Sequence, residues 1–494
     1  MKSYLMTMIP LIAGILIVLV VSALGADRAD PASRKLQQPR RDRISLWVSI
    51  IALLLPAILM ITMIPGTRLF GGSLLVTESA RYFALVYLLL TALILLLTHG
   101  YFARILVNGT DWRLIVLCMS LGALHLFFAN DLPTMFVAFQ LVSIPTYALV
   151  GFTRIDRRSN EAGMKYLILG LMSGALMLLG ISFMYGATGE INLSAIRDAL
   201  LVPFDQETRT QDGVNSLRGL GLAAMILILV GLFFKTATAP FHSYLLDVYH
   251  GSSFAATAIV AVPAKVAYFA LLAKLLHGPF LEFTEVWKPL IAAGAVLSFA
   301  FGGMQGLAQT NLKRILACSS VINTGFIILA IAFAPPAVVW FYLFSYGLMT
   351  IALLGFWMQL GYRYADMDTA ADLSGLGRRD PLTAIGLTVA LLSLAGIPLT
   401  AGFIAKFSVI LGVFQGAASE ANFANIVTTL GVLGSVLAAY FYFGLIRSIW
   451  FRREAPVVPA AAGPQDRRWN FALVAWLAVV LLAILGLYPF PLLR

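Results

Sequence analysis

Charge is scarce in this sequence. Asp, Glu, Lys and Arg make up 12% of its 494 residues, against roughly 25% in an ordinary soluble chain. So few charges cannot clothe a water-facing surface around so long a chain. Cysteine is scarcer still. Cys118 and Cys318 stand 200 residues apart, each in or at the end of an apolar stretch. No metal or redox spacing joins them, so both read as small buried hydrophobes, and no disulfide framework is expected. No catalytic constellation and no ligation pattern for a metal, flavin, haem or iron–sulfur cluster is present. If the chain serves a redox enzyme, the electrons move elsewhere. Gly302-Gly303-Met304-Gln305-Gly306 follows no strand, which excludes a dinucleotide loop and leaves close helix packing.

What the sequence has is long apolar runs. Hydrophobic residues are 60% of the chain, and a helix needs about 20 of them in a row to cross a bilayer. The runs place about fourteen spans at 3–24, 46–64, 82–100, 114–129, 132–152, 164–186, 219–239, 253–273, 289–308, 315–334, 336–361, 382–411, 425–446 and 469–490. Strands of a membrane barrel would alternate polar and apolar residues. These runs are apolar all round, so the chain is expected to be an all-α integral membrane protein.

The net charge of +11 raises the question of nucleic acid, and its distribution answers it. With the N-terminus outside, the inner loops carry 21 Lys and Arg and the outer loops and termini 9. That is the positive-inside bias of a membrane protein with both termini outside. The basic excess orients the chain in the bilayer and implies no nucleic acid. The first span resembles a signal peptide, with Lys2, an apolar run and Ala23-Leu24-Gly25-Ala26. Its apolar run exceeds the usual signal core, and cleavage would put the basic loop 25–45 outside. It reads as a retained helix.

Two spans are interrupted alike. One reads Lys235-Thr-Ala-Thr-Ala-Pro240-Phe-His242, the other Gly396-Ile-Pro398-Leu-Thr-Ala-Gly402-Phe-Ile-Ala-Lys406. Proline removes a helical hydrogen bond and breaks the helix. Broken helices in corresponding positions of two halves are the sequence pointer to a transporter's ion path. The two lie about 170 residues apart, consistent with five-helix units near 113–273 and 289–446. These would follow three N-terminal helices (1–112) and precede a last helix (469–490), all in one membrane domain. The segment 187–218 reads as an outer loop and 452–468 as an inner linker.

Four cations fall within the spans: Lys165, Lys235, Lys265 and Lys406. A charge at the bilayer centre costs several kcal/mol and marks a polar path, although a lysine near a helix end can snorkel to the interface. An ammonium out of water loses hydration and becomes easier to deprotonate, so a row of such groups separated by water can pass protons. Glu161 precedes Lys165 by four residues, the favourable helical order. His242 is open between proton relay and capping of freed backbone. His125 reads as a helix-contact residue.

Longer motifs go beyond composition. Gly231-Leu-Phe-Phe-Lys235-x4-Pro240-Phe-His242 is followed by Asp247-Val-Tyr-His-Gly251. Further on come Gln309-Thr-Asn-Leu-Lys313-Arg314-Ile-Leu-Ala-Cys-Ser319-Ser320 and Leu394-Ala-Gly-Ile-Pro398-Leu-Thr-Ala-Gly402-Phe-Ile-Ala-Lys406-Phe. With Glu161-Ala-Gly-Met-Lys165-Tyr, they resemble the antiporter-like membrane subunits of NADH–quinone oxidoreductase, respiratory complex I, and most of all subunit N (mitochondrial subunit 2). The resemblance covers essentially the whole chain. It implies fourteen helices with two inverted five-helix repeats, and Lys235, Lys265 and Lys406 on a central polar axis. It implies neighbouring antiporter-like and small membrane subunits in an energy-coupling membrane, bacterial plasma or mitochondrial inner. It also implies partner subunits that carry the flavin, the iron–sulfur clusters and the quinone. Two positions depart from the pattern. Gln140 stands where these subunits usually have a Glu facing the Lys of the seventh helix, and Asn323 where they often have a His. Both changes remove titratable groups. Two rival readings remain: a subunit of a sodium–proton exchanger, and a complex I scaffold that does not pump.

Overall fold

Wherever the sequence runs apolar, the chain is helical. The computed structural model describes residues 2–26, 31–102, 108–153, 156–201, 211–364, 368–416, 421–452 and 469–489. An N-terminal group holds α1 (Lys2–Ala26), α2 (Pro31–Ile61) and α3 (Glu78–Leu97). Next come α4 (Gly109–Phe128), α5 (Leu132–Val150), α6 (Arg157–Thr188), α7 (Leu193–Leu201), α8 (Gln211–Thr236), α9 (Ser243–Gly251), α10 (Phe254–Ala261) and α11 (Pro263–Leu276). A second series follows: α12 (Thr284–Ala308), α13 (Leu312–Phe333), α14 (Pro336–Arg363), α15 (Leu376–Arg379), α16 (Pro381–Ala395), α17 (Ala401–Gly416) and α18 (Ala421–Phe451). The last is α19 (Trp469–Leu487). A two-stranded antiparallel ribbon, Arg68–Leu69 with Leu74–Leu75, precedes α3.

Among the described residues, thirteen stretches are long and apolar enough to cross a membrane. The shorter apolar helices α16 and α17 together occupy the remaining expected span. Outward faces stay greasy. Ile9 and Leu16 on α1, Val137 and Ile144 on α5, and Val436 and Tyr440 on α18 are exposed. A continuous apolar exterior of this kind needs lipid around it.

The helix α13 lies at the centre, and every residue from Ile315 to Ala332 is buried. Small residues let its neighbours approach. A Cβ on Gly302 of α12 would meet the Cys318 carbonyl at 3.1 Å. The α6–α8 crossing is equally tight: a Cβ on Gly231 would stand 2.9 Å from the Ser173 carbonyl, and the Ser173 hydroxyl donates to the Gly231 carbonyl at 2.7 Å. Without a hydrophobic driving force in lipid, such close packing and interhelical hydrogen bonds hold a bundle together.

A small backbone device occurs twice. Asp131 caps α5, accepting from Thr134 N, and the strand around it pairs with the segment after α6. Leu132 N donates to Ile191 O (2.9 Å) and Leu193 N to Asn130 O (2.8 Å). Asn311 caps α13, and its strand pairs with the segment after α14. There, Leu312 N donates to Asp368 O and Ala370 N to Thr310 O, both at 2.9 Å.

Some boundaries differ from those read in the sequence. Helix α6 begins at Arg157, seven residues before the expected span, because Asp156 caps it by accepting from Arg158 N. Helix α2 begins at Pro31, inside the segment 25–45 read as a loop. The outer segment 187–218 holds α7 and the start of α8. Polar residues lower the hydropathy of these turns without stopping a capped helix from extending beyond the bilayer. The linker 452–468 lies, from 453 on, outside the described residues.

Candidate functional site

Three helices break inside the bundle, and each break carries a buried lysine. At the first, α8 ends at Thr236, Ala237 takes a left-handed conformation (φ 57°), and the chain resumes as α9 beyond Pro240. A broken helix in lipid must find partners for its freed backbone groups, and here side chains supply them. The Tyr244 hydroxyl donates to Phe234 O at 2.5 Å, Thr324 Oγ1 to Thr236 O at 3.1 Å, and Ala239 N to Ser298 Oγ at 3.0 Å. In the last turn of α8, Lys235 is 4% exposed and donates to the Tyr147 hydroxyl.

The second break falls where the sequence predicts one continuous span. Helix α10 stops at Ala261, Val262 leaves helical geometry (φ −117°, ψ −81°), and Pro263 opens α11. Lys265, one turn into α11 and 2% exposed, donates to Ser320 Oγ at 2.6 Å and Thr324 Oγ1 at 2.9 Å. The Ser320 hydroxyl also accepts from Tyr346 at 2.9 Å.

At the third break, α16 ends on left-handed Gly396 (φ 82°), Leu399 is again left-handed (φ 71°), and α17 starts at Ala401 beyond Pro398. Lys406 is 6% exposed. It reaches back to the carbonyls of Leu394 (2.8 Å) and Ala395 (3.3 Å) at the negative end of α16, where a cation is favoured. Its ammonium also lies 5.5 Å from the Phe326 ring centroid.

Among the described residues, none of these three lysines forms an ion pair with a carboxylate. Hydroxyls, carbonyls and rings surround them, so dipoles replace a formal counter-charge. Thr324 ties two breaks together, donating to the Thr236 carbonyl at the end of α8 and accepting from Lys265 on α11. On the other face of α13, Asn323 accepts from the Tyr342 hydroxyl at 2.9 Å and donates to Ser319 O at 2.8 Å, while Ser319 meets Tyr442.

The other expected residues lie apart from this row. Lys165 sits two turns into α6 with its side chain 45% exposed, bridging Glu161 (2.9 Å) and Asp247 (3.0 Å). Asp247 in turn pairs with Arg314 at 3.2 Å. This is a wet network, not a buried charge. Asp247→Asn is therefore expected to cost about 1 kcal/mol or less and to leave assembly intact, which a thermal-shift measurement on the purified protein would check. His242 is buried and stacks on Phe301 with ring centroids 5.4 Å apart. His125 binds Leu121 O at 2.8 Å within its own helix. Gln140 turns toward α6, where a Cβ on Gly174 would meet its Nε2 at 2.8 Å, and its Oε1 is buried without a partner.

Two features escaped the sequence reading. Lys274, one residue beyond the span drawn at 253–273, ends α11 and donates to the carbonyls of Leu126 (3.2 Å), Phe127 (2.5 Å) and Ala129 (2.8 Å) at the end of α4. Tyr147 lies seven residues after Gln140, on the same face of α5, and that spacing could have pointed to it.

Buried lysines at interrupted helices, walled by polar side chains inside an apolar bundle, define an ion-translocating membrane protein. The family described as NADH:quinone oxidoreductase/Mrp antiporter, TM, matches residues 129–435. The NADH-quinone oxidoreductase subunit N of Mycobacterium bovis is 38% identical over 401 residues, covering 78% of this chain and 71% of that protein. The NADH-quinone oxidoreductase subunit N 1 of Sorangium cellulosum is 34% identical, covering 83% of this chain and 80% of that protein. A chain of respiratory complex I from Thermus thermophilus superposes with a TM-score of 0.76 at 29% identity, over 99% of this chain and 98% of that one. A chain of the Mrp complex from a Dietzia species shares the fold, with a TM-score of 0.79 at 19% identity over 99% and 95%. The chain belongs to the NADH:quinone oxidoreductase/Mrp antiporter family of membrane subunits, on the side of the subunit N proteins.

Proposed function

We propose that this chain is a proton-translocating membrane-arm subunit of an NADH:quinone oxidoreductase, coupling quinone reduction in other subunits to proton movement through its buried lysines. The observation that carries the reading is the row of three lysines at three helix breaks, two of them joined through Thr324. A proton on Lys235, Lys265 or Lys406 has hydroxyls or carbonyls beside it. Loss of a proton at one site changes the field at the next, because charges interact strongly where the dielectric is low. Lys165 and Glu161 would stand at the rim of this path, and His242 beside its first break. Electron transfer would belong entirely to partner subunits, which would hold the flavin, iron–sulfur clusters and quinone.

The paired bridges around Asp131 and Asn311 support two related five-helix units over 113–273 and 289–446, as do the left-handed residues Ala237 and Leu399 at the breaks. Both chain termini on the outer side fit the charge bias of the loops, and the multi-subunit assemblies of its structural relatives support neighbouring membrane subunits.

Extracted in mild detergent, the chain should migrate in a complex of several hundred kilodaltons that stains for NADH dehydrogenase activity in the native gel and contains flavin and iron–sulfur clusters. Migration alone, or only with subunits of a cation exchanger, would overturn the respiratory reading in favour of an exchanger driven by ion gradients.

A further inference from the structure

Among the described residues no carboxylate pairs with Lys235, and position 140 of α5 is Gln. Four aromatic rings surround its ammonium instead. The Nζ lies 4.5 Å from the Tyr147 ring centroid, 5.4 Å from Phe139, 5.7 Å from Tyr268 and 5.9 Å from Tyr166. The rings come from α5, α6 and α11, so the ammonium is enclosed from three helices. The Tyr147 hydroxyl accepts the hydrogen bond from Nζ.

The enclosure is built and held. Tyr147 and Tyr166 meet edge to face at 5.0 Å, and Tyr166 stacks on Tyr244 at 5.8 Å. Phe139 and Tyr268 meet at 5.6 Å, and the Tyr268 hydroxyl bonds Ser143 at 3.0 Å. Gly170 of α6 makes room for Tyr147, since any Cβ there would run into that ring. An aromatic face carries a negative quadrupole that attracts a cation, most strongly where water is excluded.

We propose that Phe139, Tyr166 and Tyr268 form an aromatic cage that, with the Tyr147 hydroxyl as hydrogen-bond acceptor, holds the Lys235 ammonium without a carboxylate. The proposal rests on Lys235 being a proton-carrying site. Holding the ammonium this way has a chemical consequence. When an ammonium paired with a carboxylate gives up its proton, a buried anion is left without a partner. Rings bear no net charge, so the cage is left neutral when Lys235 is neutral. The first half of the chain can then load and unload a proton without an acid in the fifth helix.

The test uses the assembled complex reconstituted in vesicles, with pumping and NADH oxidation followed across pH. Fluorinated phenylalanines placed at 139 drain the quadrupole of that ring step by step with little change of shape. Each fluorine should move the alkaline limit of pumping to lower pH, by about one unit in all. Gln140→Glu on the most fluorinated background should move it back. A merely structural ring would not follow fluorine content. If the pH limit stays fixed through the series while Lys235→Met abolishes pumping, the cage is refuted and the lysine path stands. If Lys235→Met pumps normally, the path reading itself fails and takes the cage with it.

Discussion

Lys406→Met should enter the complex at close to the normal level and yet lose most of its proton pumping, by about tenfold or more per NADH oxidised. A tenfold loss corresponds to about 1.4 kcal/mol of barrier or occupancy, which is small beside the loss of a titratable site on an obligatory route. Methionine matches the lysine stem in length and adapts to irregular gaps, so the packing of α17 against α13 and α14 should survive. What the variant does remove is the donor to Leu394 O and Ala395 O. Those carbonyls end α16 at a helix break, and leaving a buried acceptor without a partner costs roughly 1–3 kcal/mol. Lys406→Gln separates the two effects, because its amide can donate to a carbonyl but cannot carry a proton across. Both variants should fail to pump, and Lys406→Gln should be the more stable. Normal pumping by an assembled Lys406→Met complex would refute the role.

Much of this arrangement was legible in the sequence because the physics of lipid is strict. Apolar length sets the spans, and a lone lysine beside a proline in such a span has few explanations. Lys235 and Lys406 were found that way, and both stand at breaks. Lys265 was found as a buried charge, but its break was not foreseen. Pro263 can open a helix as easily as interrupt one, and the kink lies in the backbone of Val262, which no residue type announces. Lys165, at the very start of its expected span, stands half-exposed beside Asp247, because Asp156 caps the helix early, which a hydropathy window cannot see. Partners across helices were hidden altogether. Nothing in the spacing of Ser320 and Thr324 says that they face Lys265 rather than lipid, and nothing in Phe139, Tyr166 and Tyr268 says that they converge.

Arg113 was hidden for the same reason, and it carries the largest expected effect on stability. Counted by sequence as one more inner-loop cation, it is 1% exposed. Its guanidinium pairs with Asp42 of α2 at 3.0 Å and donates to Ser45 Oγ at 2.6 Å. Gly109, the first residue of α4, leaves the space, because a Cβ there would come within 2.9 Å of the Asp42 carboxylate. The pair therefore docks the N-terminal helices onto the start of the first five-helix unit. Removing one partner of a buried pair strands the other charge, at a cost of about 3–5 kcal/mol. Asp42 is 17% exposed, so water will soften the penalty toward the lower end. Asp42→Ala should then sharply reduce the amount of chain recovered in the native complex and lower its melting temperature. Asp42→Asn, which keeps an acceptor for the guanidinium, should do less harm. The paired change Asp42→Leu with Arg113→Met should recover much of the loss, because no charge is left to strand. If Asp42→Ala assembled and melted like the unaltered protein, the Arg113 charge would have to be met by something other than Asp42, and the docking role would fall.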